Sequence, residues 1–165
     1  MKTVELNLTK NPLGSDPLVN FYQLLNEQYP EDNLTLSNSK VFTVYNYQNQ
    51  YTKSLARVAI VRNEDPVDVL VYFVKRFDLR RFIQNPFFSN TELAEVQAID
   101  NSYDLMRYIA NKTGLNLTTE DLLVERSYIE YSGGNVTPNW LLNTREQSLW
   151  FYGHFNLWLH GGADD

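Results

Sequence analysis

The sequence predicts an α+β protein, rich in β-strand, built of two similar lobes in which a helix leads into an antiparallel β-meander. Three observations carry this expectation: runs of β-branched and aromatic residues broken by turn-forming clusters, two segments with apolar residues at helical spacing, and the same order of elements in both halves. The first lobe covers residues 1–89 and ends in a Phe-rich connecting arm; the second covers 90–165.

Thr3 to Leu8 (T-V-E-L-N-L) alternates strictly, placing Val4, Leu6 and Leu8 on one face of a half-buried strand. Asn11-Pro12-Leu13-Gly14 turns the chain. Asp16 stands before Pro17 as an N-cap stands before the first helical residue, and Leu18, Phe21, Leu24 and Leu25 form the stripe of a helix that Pro30 stops. Three strands follow, Val41 to Tyr47, Leu55 to Val61 and Val67 to Phe73, separated by an Asn/Gln-rich turn and by Asn63-Glu64-Asp65-Pro66. Val67 to Val74 is apolar on both faces apart from Asp68, the pattern of a central strand covered from both sides, and it is expected to be the best-protected strand of this half. Leu79 to Ser89 places Phe82, Ile83, Phe87 and Phe88 around Pro86. It fits two readings, a short helix and loop pressed on the core or an exposed apolar arm that docks on a partner.

From Asn90 the pattern returns. Ser102, Tyr103, Leu105, Met106 and Ile109 form a second amphipathic helix closed by Gly114, and Asn116-Leu117-Thr118 follows it as Asn33-Leu34-Thr35 follows the first. Leu123 to Tyr131, Asn139 to Thr144 and Ser148 to Leu159 complete a second meander, with Ser132-Gly133-Gly134-Asn135 and Thr144-Arg145-Glu146-Gln147 as its turns. In the last strand Leu149, Phe151, Phe155, Leu157 and Leu159 make the core face, while Trp150, Tyr152, His154 and Trp158 point the other way. A second aromatic face needs a cover: a helix of the same chain, a subunit interface or a bound sugar. Nothing after Leu159 forms core.

Composition narrows the function classes. A hydrophobic fraction of 43% with 14% aromatics is enough for a real core. Fourteen basic against twenty acidic residues give a net charge of −6, which repels phosphate backbones, so no nucleic-acid partner is expected. The densest basic run, Lys75, Arg76, Arg80 and Arg81, reads as a solvated rim beside an apolar strand. Without cysteine there is no disulfide, thiolate metal site or cysteine nucleophile. Met1 to Leu8 lacks the apolar stretch of a signal peptide and no long apolar run occurs, so the expectation is cytoplasmic synthesis and no membrane partner.

Catalytic constellations do not emerge, and the chain is expected to be no enzyme and to need no cofactor or metal. His154 and His160 would lie about 20 Å apart along one strand and its tail, too far to share a metal. Glu125 and Glu130 have opposite parity on their strand, Glu120-Asp121 reads as the first turn of a short helix capped by Thr118 or Thr119, and Glu92 with Glu95 makes an exposed helical face. Gly133-Gly134 reads as a hairpin turn, and Asn33 and Asn116 as turn formers whose side chains satisfy local backbone.

Leu24-Leu25-Asn26, the segment from Tyr108 to Leu122 (Y-I-A-N-K-T-G-L-N-L-T-T-E-D-L) and Tyr72 to Leu79 (Y-F-V-K-R-F-D-L) together resemble a repeated domain in virion structural proteins of large tailed bacteriophages. Arg76-Phe77-Asp78-Leu79 matches the end of that family's Tyr-Asn-Arg-Leu-Asp-Leu segment, with Lys75 in place of the asparagine, whereas Asn156-Leu157-Trp158-Leu159 in the second half lacks the Arg-x-Asp element. The resemblance implies a virion location after synthesis in the bacterial host. It also implies an assembly role, with other virion proteins, or further copies of the same chain, as partners. The residues expected to make these contacts are Phe82, Phe87, Phe88, Trp150, Tyr152 and Trp158. The alternative is a carbohydrate-binding module that uses the aromatic face of the last strand.

Overall fold

A computed structural model of the chain describes residues 1–47, 54–83, 88–130 and 136–158; the side chains of 127–130, 136–139 and 155–158 lie outside that description. The described residues form a mixed α+β fold. Thr3–Val4 (β1), Ser39–Asn46 (β2), Leu55–Arg62 (β3) and Asp65–Lys75 (β4) build one sheet in the order β1-β4-β3-β2, antiparallel except for the parallel β1–β4 pair. Leu122–Glu130 (β6), Val136–Thr144 (β7) and His154–Trp158 (β9) build a second, antiparallel sheet in the order β6-β7-β9. Phe77–Asp78 (β5) and Phe151–Tyr152 (β8) pair in parallel and tie the two halves together. The helices are Pro17–Gln28 (α1), Asn90–Ala98 (α2) and Ser102–Thr113 (α3).

Local chemistry explains most boundaries. The Asp16 carboxylate accepts the N–H groups of Leu18 at 2.9 Å and Val19 at 3.3 Å, and Pro17 occupies the first helical position of α1. Ser89 and Glu92 form a reciprocal capping box on α2, and Gly114 ends α3 with φ +74°. Asn63 and Glu64, both with positive φ, make the two-residue turn between β3 and β4. One apolar core draws on both halves: Phe21, Leu25 and Leu34 meet Val58, Ile60, Tyr72, Ile109, Trp140, Leu142 and Phe151. A buried polar cluster seals the junction, where Asn20 and Asn116 both donate to Asn11 Oδ1, at 2.8 and 2.9 Å.

Several expectations need correction. The first strand stops at Val4, because the Asn7 side chain takes the Thr9 N–H and turns the backbone, although Leu6 and Leu8 still pack on the core. The most protected strand of the first sheet is β3, whose Ala56, Val58, Ala59 and Ile60 are buried. In β4, by contrast, Val67 is 89% and Val69 39% exposed, because β1 borders only its C-terminal end. Thr118 to Asp121 is a turn and no helix forms there: the Asp121 carboxylate accepts the Thr118 N–H at 3.0 Å and the chain passes directly into β6. Asn116 bonds to Asn11 and Ser15, about a hundred residues away, and not to local backbone. Arg76 is buried, not part of a solvated rim. The expected long last strand breaks at Gly153, whose φ of +115° re-aims the chain and splits it into β8 and β9 on different partners. The Gly133-Gly134 turn lies outside the described residues, as do His160 and the tail.

Candidate interaction surface

The residues expected to make contacts do not form one patch. Trp150 is 1% exposed, and its indole N–H donates to the Pro17 carbonyl at 3.1 Å. With the Gly153 break, Trp150 and Phe151 are both buried, and the strict alternation of the last strand is lost. Phe88 is buried with the Lys112 ammonium 5.1 Å from its ring, and Phe82 is half-buried against the core, so the described part of the Phe-rich arm is packed down. Phe87 lies outside the described residues; Trp158 pairs with Asn139 through its backbone, and its side chain lies outside the description.

Tyr152 is half-buried and lines a notch of about 300 Å³ with Arg76, Asn46, Glu146 and His154. Arg76 is the centre of this junction. Its guanidinium donates to the carbonyls of Glu146 and Ser148, both at 3.0 Å, and to Asn46 Oδ1, so one side chain from the end of β4 ties the turn before β8 to β2. Burial lowers its pKa to about 10, partly offset by the negative charge of Glu146, and it remains cationic at neutral pH. Three of the guanidinium's donors are directed at these protein acceptors, which suits a clamp better than a catalytic group.

A second polar cluster closes the opposite end of the sheet. Asp32 accepts from the Lys2 ammonium at 3.0 and 2.8 Å and from the Tyr72 hydroxyl, and Arg62 donates to the Asp32 carbonyl while pairing with Asp68. Burial alone would raise the Asp32 carboxyl. The hydrogen bonds from Lys2 and Tyr72, with the charges of Lys2 and Arg62, outweigh it and hold the group below the usual carboxylate range. The Tyr72 phenol is pushed far above its ordinary value by burial and by the bond to Asp32. In β6 Glu125 is exposed, and among the described residues no group of three or more His, Asp or Glu is placed to hold a metal ion.

Among the described residues, the outer face of the first sheet is the most open apolar surface. Cross-strand register puts Tyr45, Arg57 and Phe73 in one row, Thr43, Ala59 and Val71 in the next, and Lys40, Val61 and Val69 in the third. The alternate residues Val58, Ile60, Tyr72 and Val74 are buried against the core, whereas Tyr45 is 40% and Val69 39% exposed. The Arg57 guanidinium lies 5.5 Å from the Tyr45 ring centre and donates to its hydroxyl at 2.9 Å; the Tyr47 and Phe73 rings meet edge-on at 4.7 Å. At the hairpin end this face runs into an open groove of about 860 Å³ lined by Leu36, Phe42, Pro66 and Val69. Phe42 is a bulge residue, unpaired between Val41 and Thr43, and is 71% exposed. None of these residues was singled out from the sequence as a contact.

The edge of the same sheet is better guarded than its face. Tyr47 N–H bonds to Leu55 O, so the alternation of antiparallel pairs turns the backbone of Asn46 and Val44 outward; Asn63 N–H bonds to Asn38 O, which turns Ser39 and Val41 outward. Two of these outward N–H groups are taken within the chain, Ser39 by Thr35 O and Asn46 by the Glu146 carboxylate at 3.1 Å. The free edge of β2 is therefore confined to Val41–Val44, where the bulge interrupts it.

Comparison of the chain with known family models, curated protein sequences and solved structures finds no match in any of the three.

Proposed function

We propose that this chain is a structural component of a tailed-bacteriophage particle, acting by binding other virion proteins and performing no chemistry of its own. The observation that carries the reading is the outer face of β2, β3 and β4, where, among the described residues, Phe42, Tyr45, Val67 and Val69 are exposed around a half-buried centre at Arg57, Val71 and Phe73. The described residues include no helix long and apolar enough to cross a membrane.

The repeated unit belongs to the same proposal. In each half a helix precedes a three-stranded antiparallel meander, α1 with β2-β3-β4 and α3 with β6-β7-β9. Each meander opens with the same device: the Thr35 N–H bonds to the Asn38 side chain at 2.8 Å, and the Thr118 N–H to the Asp121 side chain at 3.0 Å. Leu34 and Leu117 are buried beside these turns. We read this as a duplicated assembly module whose two copies share one core. A sugar-binding module finds less support, because Trp150 is in the core and Gly153 separates it from the aromatics of β9.

The test is to purify particles from cells that express this sequence in its native genome and to probe them by mass spectrometry and immunogold labelling. The chain is expected in the purified particle at a fixed copy number. Abundance in the producing cells with none in the particles would overturn the proposal.

A further inference from the structure

The uncovered face carries a charge pattern that says what fits it. Lys40, Arg57 and Lys75 project from it, on strands β2, β3 and β4, and no carboxylate shares the cross-strand rows from Lys40 to Lys75; Glu64 lies beyond them, in the groove at the hairpin end. Setting those three aside leaves eleven basic residues against twenty acidic ones on the rest of the chain. A cationic, aromatic face thus sits on an otherwise strongly acidic protein. Three arrangements compete for it. Two copies stacked face to face would oppose cation to cation, which excludes a self-complementary dimer through this surface. A long nucleic-acid strand would meet three cations locally but the field of a −6 molecule beyond them. Strand addition at the β2 edge is restricted to Val41–Val44 by the Glu146 and Thr35 contacts.

We propose that this face receives an acidic surface of a second copy of the chain, so that copies join head to tail. The inference rests on the reading of the face as a protein-binding surface. The complementary patch is the start of α3, where Tyr103, 58% exposed, stands between Asp100 and Asp104. Arg107 backs one side of the Tyr103 ring at 5.8 Å, and both carboxylates accept from the Asn101 side-chain amide, so the patch is held in shape by its own neighbours. Its aromatic centre and its two carboxylates, with Arg107 the one cation beside them, are the counterpart of the Tyr45–Phe73 row and its cations. The two patches lie on different elements of one chain, and repeating the contact builds a ring or an open filament, the geometries a multicopy shell or tube requires.

Sedimentation velocity on the full chain at rising concentration and low salt tests this. Wild type is expected to pass beyond dimer. The pair Arg57→Glu with Lys75→Glu, and separately the pair Asp100→Lys with Asp104→Lys, should each stay monomeric, with thermal melts showing that both remain folded. Mixed one to one, the two variants should assemble again, because the native acidic patch of one meets the native cationic face of the other and the reversed charges pair at the second contact. Lys75→Glu alone, at an exposed strand end, should still raise the concentration needed for assembly several-fold and serves if the Arg57 change unfolds the sheet. A wild type that is monomeric throughout, that stops at dimer, or that assembles regardless of these substitutions overturns the proposal. So does binding of a short oligothymidylate that the Arg57 and Lys75 changes abolish. A monomeric chain still present in purified particles would sink the head-to-tail contact and leave the virion role standing.

Discussion

Replacing Trp150 by alanine separates a core residue from a contact residue. Full burial of a tryptophan removes about 200 Å² from water, worth about 5 kcal/mol at about 25 cal/mol/Å². A realistic unfolded chain already hides part of that area, which brings the term to about 3–4 kcal/mol. The substitution also leaves the Pro17 carbonyl without its indole donor in the interior, adding about 1 kcal/mol. The expected loss is therefore about 4–5 kcal/mol, inside the usual range for such truncations and a large share of the about 5–15 kcal/mol that holds a domain together. Urea unfolding followed by far-ultraviolet circular dichroism measures it: the midpoint should fall steeply while the slope stays unchanged. Trp150→Phe keeps most of the area and loses the hydrogen bond, and should cost about 1–2 kcal/mol. An alanine variant within about 1 kcal/mol of wild type, with the same slope, would refute the packing argument and restore Trp150 to the surface.

Three further outcomes follow from the polar sites. Asp32 titrates below the usual range, so its contribution is present above the unfolded-state value of about 4 and is lost as pH falls through the lower folded value. Asp32→Asn should flatten the acid limb of the stability–pH curve and cost about 2 kcal/mol at neutral pH; an acid limb unchanged by the substitution would contradict this. Asp121 behaves oppositely. Burial raises its carboxyl, so the stability linked to it is greatest below the unfolded value and declines as pH rises through the folded one. Asp121→Asn, which can still accept from Thr118 and can donate to the Ser148 hydroxyl, should gain on wild type as pH rises from 4 to 8, and a growing deficit over that range in denaturant melts would count against it. Gly153→Ala forces a Cβ to 3.1 Å from Asp78 Oδ1 at a φ of +115°, and should lower stability by about 2–3 kcal/mol; a neutral melt would mean the break between β8 and β9 is not held by that glycine.

Elements whose causes are local were legible in the sequence. Asp16-Pro17, Gly114 and the apolar stripes located α1 and α3, and β-branched and aromatic runs between turn clusters located the two meanders, because capping and turn chemistry act over a few residues. Features set by distant partners were not. Nothing near Arg76 says that its hydrogen bonds end on Glu146 and Ser148, and nothing near Asn116 points to Asn11. A glycine inside a strand pattern reads equally as a bulge or as tolerated packing, so the turn at Gly153 stayed hidden. Of the three covers open to Trp150, the helix of the same chain is the one it meets, at the start of α1, although the sequence pattern counts it among the contact residues. The candidate surface was half visible. Val67 to Val74 announced that both faces of β4 want cover, but apolar pattern states a need and does not say whether the chain itself meets it.

The clamp made by Arg76 and Glu146 also orders events in time. Both finish the first sheet, one by anchoring the end of β4 and the other by occupying the Asn46 amide, yet Glu146 and Ser148 are translated about seventy residues after Arg76. At about 5–20 residues per second that interval lasts several seconds. During it the growing chain carries a guanidinium without its carbonyls and a strand edge open from Val41 to Asn46. The Glu146 and Ser148 contacts are thus made only after the whole first sheet has been translated. Products ending short of residue 146 lack the Glu146 cap on Asn46 and are expected to pair through β2 more readily than the full chain.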